Sequence, residues 1–241
     1  MEPILSSATH HAVLFALLAR QIIETFGEPG KTAVLAGVNR YGEQRGRRMA
    51  LRTLADGDEL SAENYLAYGE WLSAPGENDL RFPAYEPEIR MESHRCPWYS
   101  AWEARGLLDY GSYYCRDVDA ALARGYNGMT LRLLANRTLG DPCCSFLFQD
   151  SAVPAHRMDA FADKKQRLGS RAKMPWPYHV GHLYNAMRTA AADAFDEEGV
   201  QAVRRGLSEY GSEFGEAAQK LVLEYADMDY DALPPYEGIS P

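Results

Sequence analysis

Residues 10–46 align without a gap to residues 179–215, and no other feature of the chain constrains its fold as strongly. Eleven of the 37 positions are identical, among them His10/His179, Leu14/Leu183, Phe26/Phe195, Gly37/Gly206, Tyr41/Tyr210, Gly42/Gly211 and Gly46/Gly215. Chance supplies glycine and tyrosine matches less readily than leucine or alanine ones. In the first stretch Ala12, Leu14, Phe15, Leu17, Leu18, Ile22 and Ile23 form a broad apolar face at helical spacing. Gly27-Glu-Pro-Gly30 interrupts it, and a second helix follows to about Leu54. The pattern predicts two similar helical hairpins, packed closely through their glycines. Duplication of one hairpin and convergent helix–turn–helix patterning would both produce such an echo.

Between the hairpins the periodicity changes. Ser61, Asn64 and the aromatic-bearing stretch to Trp71 suggest a third helix, and the prolines of residues 73–87 suggest a connector. Glu88–His94 alternates at period two, as does Cys144–Phe148, and Met129–Leu134 is a further strand candidate. Pro97 opens a short helix that Gly106 stops, and a longer helix runs from about Tyr113 to Arg124. The expected fold class is therefore α+β. A small antiparallel sheet core at about residues 88–150 is flanked by the two hairpins in a single compact domain over 1–241. Helical segments cover 9–72 and 175–226. Residues 156–174 read as a charged, partly helical connector, and 227–241 as an acidic, poorly packed tail.

Composition narrows the function classes. With 241 residues, a net charge of −9 and no block of lysine or arginine, the chain is a poor match for nucleic acid or an anionic membrane surface. Met1–Ala8 lacks the basic start of a signal peptide, and the apolar window Ala12–Ile23 is too short to span a bilayer. Four cysteines are too few for a disulfide scaffold, so free thiols in a reducing cytoplasm are expected. No glycine-rich loop follows a strand, so no nucleotide cofactor is implied. The apolar hairpins could meet within one chain or between two, which leaves a homodimer open.

All four cysteines lie between Ser93 and Phe148. Arg40-Tyr-Gly-x-x-x-Gly46, Cys96-Pro-Trp98, Tyr114-Cys115, Asp119, Gly125-Tyr126, Leu139-Gly140 and Cys144-x-Phe-x-Phe148 give the chain a specific profile. With these residues it resembles the L-2-amino-thiazoline-4-carboxylic acid hydrolase family over most of 10–150, and more weakly through the C-terminal helices. The resemblance implies hydrolytic opening of a thiazoline ring to N-carbamoyl-L-cysteine, on a small, carboxylate-bearing substrate.

That chemistry adds water to a carbon held between sulfur and nitrogen and expels a thiolate. A cysteine nucleophile would do this through a covalent isothiourea-like intermediate, given a base or a cationic environment beside it. Cys144, Cys115 and Cys96 all fall at predicted element boundaries; each could equally be a small buried apolar residue. On an alternating strand Cys144 and Cys143 point to opposite faces, and Cys144 is expected to face the site. Asp119, one helical turn after Cys115, could orient a histidine or bind an amidine, whereas Asp117 suits a helix N-terminus. His179 and His182 share a helix face as acid/base groups, substrate contacts or packing residues. His94 alternates with Cys96 on one strand; His10, His11 and His156 receive no role.

A second route has zinc activate water, with Cys96, Cys115, Cys144 and His179 or His182 as ligands, though the short paired spacing of zinc motifs is missing. Arg45, Arg47, Arg48 and Arg52 are either a solvated helix face or an anchor for a carboxylate. A hydrolase leads this reading. Another ring-modifying enzyme, such as a lyase or isomerase, and a non-catalytic metabolite-binding protein are its competitors.

Overall fold

The computed structural model describes residues 7–72, 74 and 76–234. Met1–Ser6, Ser73 and Pro75 of the expected connector and the last seven residues of the expected tail lie outside the described residues. The element order is α1 (Ala8–Ala55), α2 (Ala62–Ala67), β1 (Asp79–Ala84), β2 (Ile89–Arg95), α3 (Pro97–Glu103), α4 (Leu108–Asn127), β3 (Leu131–Ala135), β4 (Cys144–Phe148), α5 (Met158–Leu168), α6 (Trp176–Phe214) and α7 (Glu216–Glu224). Helices and a small antiparallel sheet make this an α+β fold. It forms two compact units, each assembled from separated segments.

The first unit takes the residues up to Tyr41, Pro97–Val118 and Trp176–Asp229. Its long helices break at aligned places. Helix α1 leaves helical geometry at Gly27 (φ 61°, ψ −132°), and α6 does so at Phe195 and Asp196, the latter at φ 50°, ψ −136°. Gly27 aligns with Asp196 in the sequence echo. Phe26 and Phe195, also aligned, stack on each other with ring centroids 3.8 Å apart and planes 7° from parallel. A Cβ on Gly37 would meet Met187 Sδ at 2.6 Å, and one on Gly206 would meet Leu18 Cα at 2.9 Å. Leu18 and Met187 are again an aligned pair, so the contacts are reciprocal, as around a local twofold axis. Duplication and convergence predict the same geometry.

The second unit takes Gly42–Cys96, Asp119–Pro175 and the residues from Tyr230 on. Its sheet has the order β1-β2-β4-β3, antiparallel throughout. Ile89, Met91 and Ser93 of β2 oppose Phe148, Phe146 and Cys144 of β4. This face packs with Tyr65, Leu122, Tyr126, Leu131, Phe161 and Leu168 in one apolar cluster. Helices α1 and α4 touch backbone to backbone here. A Cβ on Gly46 would lie 2.1 Å from the Leu122 carbonyl oxygen, and one on Gly125 2.2 Å from that of Glu43.

Three expectations need correction. The connector over 73–87 contains β1, an edge strand that carries Pro83, where a missing amide costs no ladder bond. Among the described residues the sheet consequently has four strands. The start of the tail is packed, because Tyr230 is buried and Asp231 accepts hydrogen bonds from Gln44 and Arg47.

Candidate functional site

Each unit buries a polar cluster of its own. In the second unit, Arg45, Arg48 and Arg52 recur at helical spacing on the C-terminal part of α1, and all are almost wholly buried. Their guanidinium groups converge on the fully buried carboxylate of Glu70. Arg48 donates to both of its oxygens, at 3.3 and 3.0 Å, and Arg45 and Arg52 approach at 3.4 Å. Arg45 also lies flat over Trp71, 3.9 Å from the ring centroid, and Arg52 donates to the Ala172 carbonyl. The solvated-face reading thus fails for these three arginines, because a shared internal carboxylate holds them inside. It holds for Arg47, which is half exposed and paired with Asp231.

Cys144 sits at the first position of β4, facing the apolar cluster, and is 8% exposed. The Arg137 amide donates to its Sγ at 3.4 Å, and the thiol points toward Asn136 Oδ1 at 4.0 Å. Asn136 is fixed in turn by capping the 3-10 turn Arg137–Leu139 through the Thr138 amide. Burial pushes the Cys144 thiol up to about 11, and the nearby Cys96 and Asp119 add to that rise. The Arg137 amide opposes it. Asp119 of α4 is half-buried by its own surface, yet burial raises its carboxyl to about 6 against the attraction of Arg45. The lowered thiol pKa expected of a nucleophile is therefore not a resting property of Cys144. The neighbouring charges that would lower it are outweighed by desolvation and a nearby carboxylate.

The first unit holds His11, His179 and His182, all fully buried. His11 is the residue that sequence reasoning passed over. The Trp98 indole N–H donates to its Nδ1 at 3.0 Å, and its Nε2 meets the Tyr41 hydroxyl at 3.0 Å. Indole is a donor only, so a neutral His11 carries its proton on Nε2 and donates it to Tyr41. Tyr41 packs against His182 with centroids 4.5 Å apart, and Trp176 packs against His179 at 5.8 Å. Pro97-Trp98 and Arg40-Tyr41 stood out in the sequence, but the histidine joining Trp98 to Tyr41 lies 87 and 30 residues from them. No local spacing could have signalled it.

Of the residues nominated from sequence, the second unit brings Cys96 and Asp119 within electrostatic reach of Cys144. Cys115, half-buried on α4, and His179 and His182, in the first turns of α6, belong to the first unit. Among the described residues, the ligand atoms of Glu92, His94 and Cys143 in the second unit lie within 4.8 Å of one another. A cavity of about 740 Å³ in the first unit lies beside the helix breaks, lined by Glu28, Thr32, Arg40, Asp193 and Phe195 among others, and none of the nominated residues reaches it.

Comparison with known proteins specifies the group to which the chain belongs. The family model described as L-2-amino-thiazoline-4-carboxylic acid hydrolase matches residues 7–148, and the chain belongs to that family. No curated protein and no solved structure matches the chain significantly. The family's name is that of a hydrolase. Among the described residues no helix is long and apolar enough to cross a membrane.

Proposed function

We propose that the chain hydrolyses a small cyclic amidine of the 2-aminothiazoline carboxylate type, breaking the bond between the amidine carbon and the ring sulfur. The observation that carries this reading is the family match over 7–148, which includes Arg45, Asp119 and Cys144. In the mechanism, Cys144 attacks the amidine carbon and passes its proton to Asp119. The ring sulfur leaves as a thiolate, takes up that proton, and the chain holds an S-linked isothiourea. Water then adds to the same carbon, Asp119 takes the proton, and the Cys144 sulfur leaves and is reprotonated. The net reaction consumes one water and yields an N-carbamoyl amino acid with a free thiol.

A carboxylate near 6 is suited to this exchange at neutral pH, because it is mostly ionised yet readily holds a proton. A thiol near 11 must lose its proton as it attacks. An amidinium substrate would ease that loss, since a bound cation favours the thiolate. The high thiol value also supports a second reading, in which Cys144 stays protonated and Asp119 takes a proton from the attacking water and passes it to the departing sulfur.

The test follows thiol release from 2-aminothiazoline-4-carboxylate. Asp119→Asn should lose about 10²–10⁴-fold in kcat under either reading. Cys144→Ala should abolish turnover while retaining substrate binding by calorimetry, and intact-mass analysis of quenched wild-type protein should show the covalent adduct. Turnover in Cys144→Ala with no adduct in the wild type would transfer the chemistry to water. Full activity in both variants would remove this site from the reaction.

A further inference from the structure

We propose that Glu92, His94 and Cys143 form a zinc site on the outer face of the sheet, separate from the Cys144 cluster. Successive strand residues face opposite sides, and the β2–β4 register sorts the side chains. Ile89, Met91 and Ser93 pair with Phe148, Phe146 and Cys144 on the core face. Glu92 and His94 consequently share the other face of β2. Glu92 pairs with Ser145 and Ser93 with Cys144, so the next position, His94, comes opposite Cys143. One oxygen, one nitrogen and one sulfur donor from two neighbouring strands thereby meet, all within 4.8 Å of one another.

The donor set selects the cation. A thiolate and an imidazole suit zinc and disfavour magnesium and calcium, which take oxygen ligands. Bonds of about 2.0–2.3 Å in a tetrahedral site hold ligand atoms roughly 3.5 Å apart, so side-chain rotation without backbone movement closes the set. Three protein ligands leave a fourth position for water. The thiolate, the carboxylate and a neutral imidazole together balance a dication. Arg81 lies on the same face and would oppose it, but its guanidinium is paired with Asp79 at 2.7 and 3.2 Å.

All three ligands are half-buried, so an ion can enter from solvent. Without metal, His94 Nε2 and Glu92 Oε2 share a hydrogen bond of 2.8 Å. Zinc takes the place of that proton, the imidazole shifts its proton to Nδ1, and the Cys143 thiol releases one proton to solvent. Arg137 donates to the His94 carbonyl at 3.0 Å and already holds this part of β2 to the turn before β4. A metal on Cys143 would add a second tie one residue before Cys144.

The experiment titrates cobalt, then zinc, into the reduced, metal-free, untagged full chain. One equivalent of cobalt should give a thiolate-to-metal charge-transfer band with the visible bands of a tetrahedral ion, and zinc should displace it. Cys143→Ser should abolish the charge-transfer band, while Cys144→Ser retains it. His94→Ala and Glu92→Gln should each weaken zinc by more than the roughly 10–100-fold typical of an outer-shell partner. Glu92, His94 and Cys143 are outside the apolar core, so their variants should keep the far-ultraviolet circular dichroism of the parent. Absence of a stoichiometric cobalt complex, or a band that follows Cys144 instead of Cys143, would overturn the assignment. The hydrolase reading is tested separately by turnover and does not depend on this result.

Discussion

The interiors of the two units solve the same problem in different ways. Both bury many polar side chains. The first does so with neutral rings joined by hydrogen bonds, as in the chain from Trp98 through His11 to Tyr41. The second does so with ions, three arginines around Glu70 and a carboxylate and a thiol displaced from their ordinary pKa values. A neutral network loses one bond at a time. An ionic cluster with a shared carboxylate fails at once when that carboxylate is removed, because buried guanidiniums cannot be resolvated in place. The ionic interior also holds a carboxylate, Asp119, that changes protonation state near neutrality, which suits acid–base chemistry.

Glu70→Ala gives the sharpest break in this comparison and should destabilise the protein by about 3–5 kcal/mol in denaturant unfolding. Arg47→Ala, at the exposed pair with Asp231, should cost no more than about 1 kcal/mol. Equal effects would erase the distinction between the inner and outer arginines. In the neutral network, His11→Ala strips both Trp98 and Tyr41 of a partner and should cost about 2–3 kcal/mol. Trp98→Phe should cost less, since it leaves only one acceptor unmet. A negligible effect of His11→Ala would mean that the rings are held by packing alone.

The units should also respond to pH in opposite directions. Asp119 has a folded pKa of about 6 against an ordinary 3.8, so the native state binds the proton more tightly. Its contribution is most favourable below about pH 4 and declines as pH rises to 6. His10 of the first unit is lowered from 6.5, chiefly by burial, with Glu213 opposing. Its contribution is complete above pH 6.5 and is lost as pH falls through the depressed value. Comparing unfolding curves of Asp119→Asn and His10→Gln with the parent from pH 4 to 7 should give difference profiles of opposite slope. Parallel slopes would contradict the assigned burial of one of them.

A further small effect compares the two hairpins. Gly27 adopts its positive φ freely, whereas Asp196 holds nearly the same angles with a side chain that disfavours them. Asp196→Gly should stabilise the protein by about 1 kcal/mol, read as a rise in melting temperature. A loss of stability would show that the Asp196 side chain compensates its backbone.

Much of the fold was written locally. The alternation of Cys144–Phe148 matches β4 residue for residue, and Pro97 marks the first turn of α3. The breaker at Gly27 falls where α1 leaves helical geometry. Strand β1 was hidden because Asp79–Ala84 has neither clean alternation nor freedom from proline. Its hydrogen bonds come from β2, and an edge position forgives both faults. The arginines were visible at helical spacing, but Glu70 was not singled out. It lies outside regular structure, between the end of α2 and β1, where no periodicity assigns a side chain to the interior.

The sequence alone determined the α+β class, the two hairpins and their break points, and that Cys143 and Cys144 take opposite faces at β4. These depend on periodicity and on breakers that act within a few residues. Tertiary structure decided which charges are shared, which histidine joins Trp98 to Tyr41, and how far Cys144 and Asp119 depart from ordinary acidity. Desolvation and ion pairing depend on what lies across a packed interior, and that neighbourhood exists only once distant segments have met.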